Sequence, residues 1–101
     1  MLVVAGSIQI DGKMRGDLQD TAVEIVRELR QQPGCMQMSL STDIEDPHTL
    51  QLFSAWESQA ALSATIALTS QLDSVRRQSG KLGVRELSLL KYTVGSRSTL
   101  A

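Results

Sequence analysis

At 101 residues, the chain is long enough for one small domain, which buries only about two-thirds of its unfolded surface and therefore gains from oligomerisation. Ten basic residues against eleven acidic ones leave a formal charge of −1, with no polybasic run and no aromatic–basic interleaving, which argues against a nucleic-acid partner. One cysteine and one histidine exclude an intrachain disulfide and a standard zinc site, and with no apolar run near 18 residues and no signal-like leader in residues 1–10, the expected setting is a reducing cytoplasm, away from the membrane.

Leu2 to Ile10 is β-branched and apolar. Val4 and Ile8 share one face and Val3 and Ala5 the other, as in a strand covered on both sides and central in a sheet. Asp11-Gly12 signals a turn. Met14, Leu18, Ala22, Ile25, Val26 and Leu29 recur at helical steps, so the spacing predicts a helix over 14–31. Arg27 and Arg30 near its end complement the helix dipole, and Pro33-Gly34 stops it.

From Cys35 to Thr42 the pattern alternates, with Met36, Met38 and Leu40 against Gln37, Ser39 and Ser41. Asp43 to His48 is a polar turn, and Thr49 to Trp56 alternates again, so the pair forms a hairpin. Ser58 is a good N-cap for a helix carrying Ala60, Ala61, Leu62, Ala64, Ile66 and Ala67. A second cap at Thr69 or Ser70 is expected to restart it through Leu72, Val75 and Ser79, until Gly80 and Gly83 end it. Val84 to Val94 makes a last strand. Residues 1–95 then form the domain and 96–101 a flexible polar tail.

The order β-α-β-β-α-β predicts an α+β, ferredoxin-like fold: an antiparallel four-stranded sheet with both helices on one face. The other face would leave a large apolar patch in a monomer, so a homodimer through sheet-to-sheet packing is expected.

With these elements in place, the sequence resembles the antibiotic biosynthesis monooxygenase (ABM) domain family of the dimeric α+β barrel group, over roughly residues 2–94. The resemblance is carried by Val3-Val4-Ala5, Gln32-Pro33-Gly34-Cys35, Asp43-Ile44-Glu45-Asp46-Pro47, and Trp56-Glu57-Ser58 with Ala61-Leu62 behind it. These motifs are specific for the fold and weakly specific for activity. The resemblance implies a ligand pocket between sheet and helices. Some members of that family oxidise polyketide phenols to quinones with molecular oxygen and without metal, flavin or haem, so no cofactor is expected; others degrade haem or process small signalling molecules.

The departures narrow the chemistry. The haem-degrading branch uses an asparagine, a tryptophan and a histidine, whereas this chain has no asparagine and carries Thr65 where that branch has its second-helix tryptophan. Other members place histidines on the second helix, near Thr65 and Ser70 or Gln71 here, and tyrosines on the second strand, where this chain has Met38 and Ser41.

Trp56 is either a pocket wall stacking on a flat substrate or a core anchor, and core packing is the stronger reading. Ser54 shares its face and is the most pocket-like small polar residue of that strand. Met38, with Met36, lines an adaptable pocket or simply fills the core. Tyr92 offers a hydrogen bond to a ligand or to a partner chain. Arg76, with Arg77, offers a cation to a phenolate, though a solvated pair is the plainer reading. His48 falls on an exposed turn, and Cys35 reads as an inert thiol. Asp43, Glu45 and Asp46 read as a solvated loop. The expected pocket residues are therefore Trp56, Ser54, Met38, Thr65, Tyr92 and Arg76. The expected function is cofactor-independent oxygenation of a hydrophobic phenol or quinol; the alternative is a non-catalytic dimer that binds a small molecule or assists a pathway.

Overall fold

The structure is a computed structural model that describes residues 1–13, 15–71 and 83–101. Six elements follow the expected order: β1 (Leu2–Ile10), α1 (Asp17–Arg30), β2 (Cys35–Thr42), β3 (Thr49–Trp56), α2 (Gln59–Gln71) and β4 (Val84–Thr93). The antiparallel sheet runs β2-β3-β1-β4, so the apolar strand β1 is central, as its composition predicts.

The helix α1 starts three residues later than the spacing predicts. Gly16 has φ +55°, a left-handed conformation that breaks the helix path just before Asp17. Met14 lies outside the described residues. At the other end, Gly34 has φ +82°, and a Cβ there would stand 2.5 Å from the Ala61 Cβ of α2. Only glycine lets the chain turn here while α2 packs this close. The Gly34 carbonyl then accepts the Glu57 amide at 2.9 Å, tying the start of β2 to the end of β3.

Ser58 caps α2 as expected: its hydroxyl accepts the Ala61 amide at 3.1 Å. The expected restart at Thr69 or Ser70 is corrected, because α2 runs unbroken through both to Gln71. A helix that continues without a backbone break offers no second N-terminus in this stretch. Leu72, Val75, Arg76, Arg77, Ser79 and Gly80 lie outside the described residues.

Cross-strand register sorts the side chains into two faces. On the helix side, Met38, Ser54, Val4 and Lys91 form one row across the four strands, and Leu40, Leu52, Gly6 and Leu89 form the next. Leu62 of α2 packs with Leu2 and Trp56 at one end of this side, while Ala22 and Ile25 of α1 pack near Leu40. Ile8, Ile10 and Leu50 fill the remaining core. The opposite face carries Val3, Ala5, Phe53, Ala55, Leu90 and Tyr92, followed by a polar band of Ser7, Gln51 and Ser88. No helix among the described residues is long and apolar enough to cross a membrane.

The β2–β3 turn is held by its own carboxylates. One Asp43 oxygen accepts the Glu45 and Asp46 amides, each at 3.0 Å, and Asp46 accepts the His48 amide at 2.9 Å and the Thr49 hydroxyl at 2.7 Å. The acidic residues that read as a solvated loop thus order a turn. The Thr49 and His48 donors hold the Asp46 carboxyl below the usual carboxylate range. A depressed folded pKa contributes stability above the unfolded value, about 3.9, and that contribution is lost as pH falls through the folded value. Asp46 is expected to titrate below that of an unstructured peptide in a carboxyl NMR titration, and Thr49→Val to return it toward the ordinary value.

Candidate functional site

Four of the six expected pocket residues are buried: Trp56, Ser54 and Met38 on the helix side of the sheet, and Thr65 on α2. The β3 strand delivers Ser54 and Trp56 at alternate positions to the same face. The indole Nε1 donates to Ser54 Oγ at 3.0 Å, and the Ser54 hydroxyl donates to the Val4 carbonyl at 3.4 Å. Thr65 donates back along α2 to the Ala61 carbonyl at 3.0 Å. This group satisfies its own polar atoms, and no buried side-chain polar atom among the described residues lacks a partner. The arrangement gives Trp56 a packing role, with its N–H spent inside the protein.

The register separates Tyr92 from this group. Val3 pairs with Tyr92 while Leu2 pairs with Trp56, so the two rings project from opposite faces of the sheet, and Tyr92 is half-exposed on the face without helices. Arg76 lies outside the described residues.

The floor beside the Trp56 group is the helix side of β1 and β4. Val4 is half-buried, Gly6 contributes no side chain, and Leu87 and Leu89 are 59% and 37% exposed. Lys91 brings a cation here: its Nζ donates to Gln59 Oε1 on α2 at 2.8 Å and keeps two further N–H donors. Ser54 and Lys91 stand on either side of Val4, roughly 10 Å apart across two inter-strand spacings. Sequence reasoning missed Lys91. Its signal was the two-residue step Leu87, Leu89, Lys91, which places the cation on the leucines' face.

The remaining chemistry-bearing groups stand apart from that floor. His48 Nδ1 lies 3.0 Å from the Gly12 carbonyl on the exposed turn. Among the described residues, no group of three His, Cys, Asp or Glu is placed to hold a metal. Cys35 Sγ faces the Gln37 carbonyl at 3.7 Å, and burial pushes its thiol pKa up. The thiol is therefore protonated and a poor nucleophile at neutral pH. Its alkylation by iodoacetamide at pH 7 is expected to be slower than that of a free cysteine peptide.

A family model of the antibiotic biosynthesis monooxygenases matches residues 1–65, from β1 into the middle of α2. The chain belongs to the antibiotic biosynthesis monooxygenase family. Solved structures agree on the fold. A candidate ABM protein from Deinococcus radiodurans superposes with a TM-score of 0.79 at 20% identity, over 100% of this chain and 99% of its own. A candidate from Nitrosomonas europaea gives 0.73 at 13% identity, over 95% and 100%. One from Chloroflexus aurantiacus gives 0.69 at 21% identity, over 96% of each chain. At such identities the likeness is one of fold. A comparison with curated proteins finds no match. Membership of the ABM family agrees with the βαββαβ order and the antiparallel sheet, and it supports a general ABM-type role.

Proposed function

We propose that this ABM protein is a cofactor-independent monooxygenase that oxidises a hydrophobic phenol or quinol with molecular oxygen on the helix side of β1 and β4. The observation that carries the reading is the step Leu87, Leu89, Lys91 beside Val4: an apolar floor with an ammonium at one end. In such a reaction the substrate anion itself supplies the electron to oxygen. The protein has to orient the ring, exclude water and stabilise the phenolate. Lys91 is suited to the phenolate and Leu89 to the ring, while the Trp56, Ser54, Met38 and Thr65 group walls one end. No histidine is needed for these tasks.

The test is oxygen uptake and quinone formation with a panel of dihydroxy-anthracenes and dihydroxy-naphthalenes. Turnover is expected on at least one, and Lys91→Met is expected to lower it about a hundredfold with the fold intact, as for loss of one oxyanion donor. No turnover on any quinol overturns the reading. Binding without oxygen uptake would favour a non-catalytic binding or accessory protein, a reading supported by the mutual satisfaction of Trp56 and Ser54.

The proposal includes a homodimer joined through the open sheet face, where Val3, Ala5, Phe53, Leu90 and Tyr92 form an apolar stripe. Light scattering is expected to give about twice the chain mass of 11.0 kDa, and Tyr92→Asp to give the monomer. A monomeric parent protein would sink this part. A cytoplasmic setting accords with the single thiol.

A further inference from the structure

A second concave site lies away from that floor, between the flank of α1 and the edge strand β2. The cleft has a volume of about 430 Å³, within the usual range for small-molecule sites. Its floor includes the buried side chains of Ala22, Val26 and Leu50. Its rim carries Arg27, Arg30 and Ser41, and no acidic side chain lines it.

Among the described residues, neither arginine is in an ion pair with a carboxylate. Arg30 is also fixed in place: its Nε donates to the Met38 carbonyl at 2.9 Å, which orients the guanidinium and leaves its Nη groups available. A pinned guanidinium loses less conformational freedom when it binds an anion than a freely rotating one.

We infer that the α1–β2 cleft is a second ligand site and takes an amphipathic organic anion, an apolar ring body carrying one carboxylate or phenolate. The ring body lies against the exposed Val23 and the half-buried Leu40, where it displaces water from apolar surface. The anionic oxygen meets Arg27 and Arg30, which form charge-assisted hydrogen bonds to planar anions. The apolar floor discriminates against inorganic phosphate, and the paired guanidiniums against cations. The inference is independent of turnover at the β1–β4 floor.

The test is titration of the full chain with 2-naphthoate, followed by amide chemical shifts and by calorimetry. Shifts are expected to concentrate at Gln19, Val23, Leu40 and Ser41. Arg27→Gln is expected to weaken 2-naphthoate about tenfold, the scale of one charge-assisted hydrogen bond, and to leave the neutral 2-naphthylmethanol unchanged. Arg85→Gln, on another surface, should change neither. Arg27 is exposed, and the amide spectrum of the free variant verifies its fold. Equal naphthoate affinity in Arg27→Gln, shifts confined to Val4, Leu89 and Lys91, or no binding at about 1 mM would each overturn the inference. The test reads binding and its location, so it stands whether or not a quinol is oxidised.

Discussion

Trp56→Ala is expected to remove about 3–5 kcal/mol of stability, the range for deleting a large buried aromatic side chain. Trp56 is 3% exposed and packs with Leu2 and Leu62, so truncation opens a cavity where β1, β3 and α2 meet. It also removes the donor that Ser54 accepts at 3.0 Å. For a domain of this size the total is about 5–15 kcal/mol, so the variant is expected to be partly unfolded at 37 °C. Trp56→Phe keeps most of the packing, loses the N–H, and should lose only about 1–2 kcal/mol. Because the chain has one tryptophan, urea unfolding has to be followed by far-ultraviolet circular dichroism. A loss below about 1 kcal/mol for the alanine variant would show that the ring is not a core anchor and would restore it as a pocket wall.

Gly6→Ala is expected to be the most damaging single-methyl change among the described glycines. Gly6 sits in the middle of the central strand at φ +157°, and a Cβ there runs into the Ser88 carbonyl oxygen and lies 2.9 Å from the Leu89 Cα. Both obstacles are backbone atoms of the neighbouring strand, so no side-chain rotation relieves them. Strand β4 has to move away from β1, with a loss of about 3 kcal/mol and a fall in Tm of more than about 10 °C. Gly16→Ala is the matched control. It has φ +55° and ψ −128° and no heavy atom within 4 Å of a Cβ, so it carries only the backbone penalty, on the order of 1–3 kcal/mol. Equal melting temperatures for the two variants would refute the steric account of Gly6.

The contrast between these glycines shows what was legible in the sequence. The strands Leu2–Ile10, Cys35–Thr42 and Thr49–Trp56 stand out because their apolar residues are unbroken or alternate, and turn residues bound them. The late start of α1 is hidden because Met14 continues the apolar spacing while Gly16 interrupts the backbone. The side of the sheet taken by Tyr92 is hidden too. Leu89 and Leu90 are adjacent apolar residues on opposite faces, so the pattern of β4 does not say which face the helices cover. Only pairing with β1 decides it. Arg27 and Arg30 read simply as cations at a helix end. Their relation to Leu50 and Ser41 depends on α1 lying across the β2 edge, which no local spacing encodes.

The hydrogen bond from Arg30 to the Met38 carbonyl has a consequence for how copies of the chain behave in solution. In the order β2-β3-β1-β4, β2 is an outer strand, and exposed outer strands invite stacking by other chains. A guanidinium already bound to Met38 occupies one acceptor that an incoming strand would use. The register shift between Cys35 and Gln37 bends the same border out of the regular repeat. A helix side chain and a bulge together blunt the border of the sheet against fibrous aggregation, while its flat face stays open.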